Sequence, residues 1–357
     1  MYSPTVLIRF TFSILILGAV LATAGCGSGR QAAAGVAVAG VDTARLRAAM
    51  SVLAADSLQG RFTGSEGAAA AARYIAGQLE RLGLEPAGDS GYFQRVPIQV
   101  TKRADGRRRF SFYPSVRAWG LLPPEQQLMA VNVVARLPGA DSTNLETVVV
   151  GSHYDHLGIR RPIDGDSIYN GADDASGAVG ALEIARVLAA GPGLKRSVVF
   201  LFSAGEAIGF IGTHYYAEYP AAPLGETVAA LWLENIGRPD PLVGLGVAWI
   251  TGSDRTNLGR LLEDAEIDIE VEPDPRPEQN VYLLTESVVL ARRGVPAHTL
   301  SSFGFHDDWH EPSDEIETIN FAHFGQVVTS AIVIVRYLAT GTPPQWYRGG
   351  QPERSDF

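Results

Sequence analysis

Residues 147–177 most restrict what this chain can become, because they join a hydrophobic strand, a polar loop and the small-residue start of a helix. His153 and Asp155 follow the strand, and Asp173 and Asp174 open the helix. A carboxylate at a helix start can lie between two cations, and an imidazole at a strand end supplies a directional nitrogen to one of them. The alternative for the aspartate pair is an ordinary helix cap. The stretch predicts a metal site where a strand passes into a helix.

From residue 41 onward, runs of strand length alternate with runs of helix length. Helices are predicted at 41–55, 64–84, 176–190, 209–219, 254–266 and 320–340, and strands at 132–137, 147–152, 197–203, 227–234 and 245–251. Strands that alternate with covering helices imply an α/β fold with a largely parallel sheet and a site at the strand ends. We expect a single domain over 41–340 and a frayed tail over 341–357.

The charge balance excludes one class of partner. The 357 residues include 29 Lys and Arg against 39 Asp and Glu, which gives a net charge of −10 at pH 7. Contacts with nucleic-acid phosphates need clustered Lys and Arg. The sequence therefore predicts no nucleic-acid partner.

The N-terminal segment predicts export. Arg9 precedes an apolar run at 10–21, and small residues lead up to Cys26, the only cysteine. This is typical of a bacterial lipoprotein signal, with 1–25 as signal peptide, Cys26 as the lipidated residue that anchors the chain to the membrane, and 26–40 as a flexible tether. The expected location is the cell envelope, at the periplasmic face or the outer membrane. The alternatives are secretion with an unlipidated Cys26 and a retained anchor, although about twelve apolar residues are short for a spanning helix.

Three later segments bear on the predicted site. Glu206 follows the strand at 197–203, where a carboxylate suits a general base that takes a proton from water. Glu234 ends the strand at 227–234, where it can join His153 on one metal. Four side chains able to bind a metal precede the last helix: His306, Asp307, Asp308 and His310.

Five segments, in this order, resemble the zinc aminopeptidases of metallopeptidase family twenty-eight in clan MH: LAADSLQGRFTGSEG, GSHYDHLG, YNGADDASG, GEAIGFIGT and HEPSDEIETIN. The resemblance covers residues 41–340. It implies a three-layer α/β/α fold around a mixed, mostly parallel central sheet. It also implies a peptide substrate and a site in which an aspartate bridges two zinc ions.

The resemblance also implies a role for each matching residue. His153 and Glu234 would complete the first metal, with Glu234 at a position where the family more often has Asp. His310 would bind the second metal. Asp155 would orient its neighbours through a hydrogen bond, and Glu206 would be the general base.

The bridging ligand is left open between two neighbours. Counting back three residues from Ser176, as the family motif does, selects Asp173. Reading the loop from Gly171 selects Asp174 instead.

One departure from the family concerns the second metal. The family has two successive glutamates here, whereas Glu206 is followed by Ala207. The bridge and His310 alone would then hold that metal, below the three protein ligands usual for a catalytic zinc. The second site is either empty or completed by a nearby group, with Asp308 and His306 as candidates.

The expected function is that of a zinc-dependent exopeptidase, foremost an aminopeptidase that hydrolyses peptides in the cell envelope. A non-catalytic envelope binding module on the same fold is one alternative, and Ala207 favours it. A single-zinc transferase resembling glutaminyl cyclase is the other. A second departure, Thr285-Glu286-Ser287 where relatives often have Ser-Asp-His or Ser-Asp-Asn, concerns the substrate side.

The remaining histidines have simpler interpretations. His156, in a loop, is interpreted as structural or solvent-exposed. His214 and His323 lie on predicted helices as packing or surface residues, and His298 lies in a strand as a buried, hydrogen-bonded core residue.

Overall fold

The structure is a computed structural model that describes residues 40–354. The predicted signal peptide, Cys26 and all of the tether except Gly40 lie outside the described residues. In the described chain the helices are α1 Thr43–Leu53, α2 Glu66–Arg81, α3 Val116–Trp119, α4 Ala172–Ala190, α5 Ile211–Glu218, α6 Leu258–Asp264, α7 Ser287–Ala291 and α8 Phe321–Thr340.

The strands alternate with these helices through most of the chain. They are β1 Glu85–Pro86, β2 Phe93–Lys102, β3 Arg108–Phe112, β4 Gln127–Leu137, β5 Thr147–His153, β6 Gly158–Ile163, β7 Asp166–Tyr169, β8 Ser197–Ser203, β9 Thr227–Leu233, β10 Ala248–Ile250, β11 Val271–Pro273 and β12 Ala297–Ser301.

Short polar side chains set the starts of three long helices. Asp42 accepts a hydrogen bond from the main-chain N–H of Ala44 at α1, and Ser65 accepts one from Ala68 at α2. Asn320 caps α8 in the same way. Each cap satisfies an N–H that has no partner inside its helix, so the helices begin close to their predicted positions.

One large mixed sheet organises the fold, in the order β11-β10-β12-β9-β5-β8-β4-β2-β3, with β1 paired to β4. The central strands β12, β9, β5 and β8 run parallel. Strands β4, β2 and β3 add an antiparallel flank beside β8. Strands β6 and β7 form a separate hairpin.

Helices cover both faces of this sheet, and the side chains of β5 show how. Val148 and Val150 belong to the core beneath α1, α2, α4 and α8. Val149 belongs to a second core beneath α5 and α7. Alternate residues of a strand face opposite sides of the sheet, so the all-apolar strand fills two cores. The predicted three-layer α/β/α fold is confirmed.

The parallel strands β5, β8 and β9 end at the same edge of the sheet. His153 closes β5 opposite Ser203 at the end of β8, and Glu234 follows β9 directly. Ligand sites of α/β sheets form outside the carboxyl ends of such strands. Three predicted site residues therefore reach one edge: His153, Glu206 and Glu234.

The tail packs more closely than the predicted fraying implies. Gln345 and Asn257 exchange hydrogen bonds at 3.1 Å and 2.7 Å, and Trp346 donates to the carbonyl of Gly294 at 2.9 Å. Helix α8 is long and apolar enough to span a membrane, but 67% of its apolar window is buried inside the fold. It serves as a core helix of the described domain.

Candidate metal centre

His153 presents one ring nitrogen toward the site. It is buried, and its Nδ1 lies 3.1 Å from the main-chain carbonyl oxygen of Asp155. Because a carbonyl only accepts hydrogen bonds, Nδ1 carries the proton and Nε2 remains as the nitrogen able to bind a ligand.

The electrostatics around His153 are those of a cation site. Burial lowers the pKa of its imidazole, but four surrounding carboxylates outweigh burial and raise that pKa to about 9. They are Glu206, Glu286, Asp174 and Glu234. So many buried carboxylates around one imidazole favour a positive charge at their centre.

The carboxylate of Asp155 is fixed from two sides. Its Oδ2 accepts hydrogen bonds from Thr63 Oγ1 and from the main-chain N–H of Gly205, both at 2.6 Å. Asp155 thus orients His153 through its main-chain carbonyl and ties the β5 exit to the loop before Glu206. Its Oδ1 is buried without a hydrogen-bond partner among the described residues.

Asp173 and Asp174, neighbours at the start of α4, have different surroundings. Asp173 Oδ1 accepts from the main-chain N–H of Gly237 at 2.8 Å, and its Oδ2 lies 3.3 Å from His306 Nε2. Asp174 has one oxygen, Oδ2, that is buried without a hydrogen-bond partner in the described part of the chain. Of these two carboxylates, that of Asp174 therefore has an oxygen available to bind a metal.

Asp174 lies in a cluster with His156 and His310. One ligand atom from each of these residues lies within 4.8 Å of the other two. The rings of His156 and His310 have centroids 5.4 Å apart, and Trp309 stacks on His310 at 4.1 Å. His310 has a left-handed backbone, with φ of 62°, a conformation often found at functional sites.

The charges of this cluster suit a metal. Burial raises the pKa of Asp174, but the nearby imidazoles of His156, His153 and His310 outweigh burial and lower it. Burial lowers the pKa of His156 to about 3, so that its ring is neutral. An ionised carboxylate with neutral imidazoles is the protonation state that metal binding requires. Two imidazoles and a carboxylate are ligands that zinc accepts.

The other two predicted ligands of the second metal have different partners. His306 lies against Asp173. Asp308 accepts hydrogen bonds from Arg238 Nη1 and Ser313 Oγ, both at 2.8 Å. Neither belongs to the cluster around Asp174.

Glu206 stands half-buried after the central strand β8, followed by the exposed Ala207. Burial raises the pKa of Glu206 to about 7, despite the opposing effect of His153. A carboxylate with a pKa near the working pH can both take and return a proton.

Glu286 is a site residue whose role sequence reasoning missed. It is fully buried, and it accepts hydrogen bonds from Ser203 at 2.9 Å, Thr213 at 2.7 Å and Trp232 at 3.2 Å. Its main-chain N–H donates to Glu234 Oε1 at 3.2 Å. Burial raises the pKa of Glu234 to about 8, and the charge of Glu286 adds to this effect. An acidic residue just before a short helix was the signal that could have indicated this buried carboxylate.

Arg61 supports the cluster from a loop far away in sequence. It is fully buried, and its guanidinium donates to the carbonyls of Tyr154 at 2.8 Å and Gly171 at 3.3 Å. Burial lowers its pKa to about 10, so it stays positively charged at neutral pH. It holds together the two segments that carry His156 and Asp174.

The remaining histidines belong to the core. His298 is buried, with its Nδ1 2.7 Å from the carbonyl of Thr251 and its Nε2 2.9 Å from Thr256 Oγ1. This confirms its prediction as a hydrogen-bonded core residue. His214 and His323 are also buried, in α5 and α8. His156 is buried as well, which excludes its interpretation as solvent-exposed.

Comparison with known protein families identifies the family of this chain. A family model described as Peptidase family M28 matches residues 132–335, more than half of the chain. The chain belongs to peptidase family M28. It is a metallopeptidase, and the match includes both the His153 edge and the His310 loop. No curated protein matches the sequence.

Solved structures share the fold of this M28 chain. Zinc aminopeptidase BSAP from Bacillus subtilis aligns with a TM-score of 0.61 at 14% identity, over 88% of this chain and 98% of that one. The aminopeptidase from Aneurinibacillus sp. strain AM-1 gives 0.59 at 14%, over 86% and 96%. The glutaminyl cyclase from Porphyromonas gingivalis gives 0.59 at 16%, over 83% and 99%. The fold of this M28 chain is thus similar to those of aminopeptidases and of a cyclase alike.

Proposed function

We propose that this M28 chain is a zinc-dependent aminopeptidase that removes N-terminal residues from peptides in the cell envelope. The observation that supports it most is the position of Glu206. This half-buried carboxylate follows the central strand, and its pKa responds to the charges of His153 and Asp174. A proton acceptor thus stands beside residues that can hold a metal.

The proposed reaction uses two neighbouring metal sites. His153 and Glu234 would hold the first metal and His310 the second, with an aspartate between them. We choose Asp174 as that bridge, because its Oδ2 has no hydrogen-bond partner among residues 40–354, whereas both oxygens of Asp173 have one. Buried polar atoms without partners are rare in folded proteins, so the free oxygen supports a ligand role.

The reaction would be hydrolysis with one proton relay. Zinc, when bound, polarises a scissile carbonyl and lowers the pKa of water. Glu206 would take the proton from the attacking water and pass it to the leaving amine, so the carboxylate ends the cycle ionised, as it began. Glu286 would hold Glu234 in place through its main-chain N–H.

Negative charge beside the loop that carries His310 supports amino- over carboxypeptidase action. A pocket between the β6–β7 hairpin and the His310 loop is lined by five carboxylates: Asp164, Asp166, Asp307, Glu311 and Glu315. Such a field attracts the ammonium of a free N-terminus and repels a C-terminal carboxylate.

The deciding experiment compares one peptide with a free and with an acetylated N-terminus, followed by mass spectrometry. We expect sequential loss of N-terminal residues from the free peptide only, abolished by chelation and restored by zinc. Loss of C-terminal residues, or equal cleavage of both peptides, would show the proposal to be wrong.

Ala207 favours a second candidate, a binding module that lacks a competent metal pair. In that case the folded chain would bind peptides without cleaving them at any zinc concentration. A peptide with N-terminal glutamine tests the cyclase alternative in the same assay, because cyclisation releases ammonia and leaves the chain length unchanged.

The cell-envelope location rests on Cys26 and the segment before it. We propose that the thiol of Cys26 is lipidated and anchors the enzyme to the membrane. Cys26→Ala should move the protein from the membrane fraction to the soluble periplasmic fraction, with its peptidase activity unchanged. Equal distribution of both forms would contradict the anchor.

A further inference from the structure

The second metal lacks a protein ligand at the position where the family supplies a glutamate. Ala207 stands there with a methyl side chain. Asp174 and His310 alone would provide two ligands, one fewer than a catalytic zinc usually takes from protein. A third ligand must come from elsewhere in the chain if this site is to hold its metal.

His156 has the right separation from Asp174. Its Nδ1 lies 3.6 Å from Asp174 Oδ1, which is longer than an ordinary hydrogen bond. Two ligand atoms of a tetrahedral zinc lie roughly 3.4 Å apart, because each is about 2.0–2.1 Å from the ion. The two groups are spaced as co-ligands of one metal.

The hydrogen bonding of His156 also differs from that of the structural histidines. His298 and His323 each engage both ring nitrogens. Only 2% of His156 is exposed, and its Nε2 is buried without a hydrogen-bond partner within the described residues. Its Nδ1 has Asp174 Oδ1 as its neighbour, at 3.6 Å, beyond hydrogen-bond distance. A metal bound at Nδ1, the nitrogen that faces Asp174, would therefore compete with no hydrogen bond of this ring within the described residues.

The surrounding backbone keeps this imidazole in place. The main-chain N–H of His156 donates to the carbonyl of Arg61 at 3.1 Å. On the other side the ring lies against Gly171, where an added Cβ would come within 2.4 Å of it. These two contacts fix the position of the His156 ring beside Asp174.

We propose that His156 is the third protein ligand of the second metal, in place of the carboxylate absent at Ala207. The inference rests on the two-metal site of the proposed function. Two imidazoles with one shared carboxylate replace the single imidazole and two carboxylates of the family. Imidazole suits zinc, copper, iron and nickel, whereas magnesium, calcium and manganese prefer oxygen ligands. The second site should therefore select against the latter metals.

The test is metal content of the full-length protein after equilibration with buffered zinc. Wild type should retain two zinc ions per chain and His156→Ala one, with at least a tenfold weaker second site. Adding the family's glutamate, in His156→Ala/Ala207→Glu, should restore the second ion. His306→Ala is the matched control: it removes a neighbouring histidine that contacts Asp173, and should keep both ions.

Zinc-induced shifts in melting temperature provide a second readout that does not depend on catalysis. If His156→Ala does not fold, His156→Gln, which keeps most of the side-chain volume, is used in its place in the same measurements. Retention of both ions by the His156 variant, or loss of an ion by His306→Ala alone, would overturn the proposal. Loss and rescue of the ion in a protein that cleaves no peptide would leave this inference standing while the proposed peptidase function fails.

Discussion

Ser203 Oγ, at the end of the central strand β8, lies 2.9 Å from the nearer carboxylate oxygen of Glu286. Thr213 and Trp232 donate to the same fully buried carboxylate. The carboxylate therefore joins the end of β8 to α5 and β9. Its main chain separately holds Glu234, so the two roles of this residue can be tested apart.

Glu286→Ala should destabilise the protein by about 3 kcal/mol, because it leaves buried donors without an acceptor. The main-chain bond to Glu234 would remain. Glu286→Gln is the matched control, since it retains an acceptor oxygen and nearly the same volume, and its loss should be clearly smaller. Urea unfolding at fixed zinc measures both, and an alanine variant as stable as wild type would contradict this role.

Glu206→Gln should lower kcat by roughly a thousandfold, because an amide cannot take the proton from water. Zinc content and melting temperature should stay at wild-type values, since Glu206 is not among the proposed ligands. Glu206→Asp keeps the base at a shorter reach and should retain more activity than Gln. Hydrolysis of aminoacyl amides by the Gln variant at the wild-type rate would show that Glu206 is not the base.

Gly171→Ala should weaken the second metal site by about tenfold or more, the scale seen when the support of a ligand is disturbed. Its Cβ would lie 2.4 Å from Cδ2 of His156 and displace the ring. Gly165→Ala is the control, because Gly165 also has a positive φ but has nothing within 4 Å of the added atom. Equal zinc affinities for the two variants, measured by competition with a chelator, would exclude the collision as a cause.

The metal-free protein should lose stability as the pH rises from 6.5 to 9. Four buried or half-buried groups have pKa values raised in the folded state: Glu206 to about 7, Glu234 to about 8, His153 to about 9 and Asp314 to about 9. The folded chain then binds more protons than the unfolded chain in this range, so the free energy of unfolding falls with increasing pH. The lowered pKa of His156, about 3, acts only below pH 6.5.

Thermal melts of chelated protein at pH 6.5 and 8.5 would measure this loss. We expect a fall of at least about 3 °C at the higher pH, which corresponds to roughly 2 kcal/mol for a domain of about 300 residues. Saturating zinc should reduce the difference, because the cations replace the protons as partners of the carboxylates. Equal melting temperatures for the chelated protein would contradict the raised pKa values.

The fold was largely predictable because short stretches of sequence are enough to indicate most of its strands and helices. Unbroken apolar runs such as β5 predict strands buried on both faces, and their alternation with helices predicts the parallel centre. The antiparallel flank of β2, β3 and β4 was harder to predict, because alternating polar and apolar residues do not specify which strands pair.

The site was predictable only as far as residue types and order allow. Sequence brought His153, Glu206 and Glu234 to one edge, but it could not decide between Asp173 and Asp174. That choice depends on the main-chain N–H of Gly237 and on His306, which are distant in sequence. The surroundings of His156 likewise arise from contacts with three separate segments of the folded chain.

Arg61 and Thr63 support the site although they lie outside the residues that match the family model. The family match begins at residue 132, yet these two side chains, far upstream, hold the carbonyls of Tyr154 and Gly171 and the carboxylate of Asp155. A shortened chain that began at the edge of the shared region would keep every proposed ligand and lose their anchorage. The smallest functional unit of this peptidase should therefore include the segment between its first two helices, which carries Arg61 and Thr63.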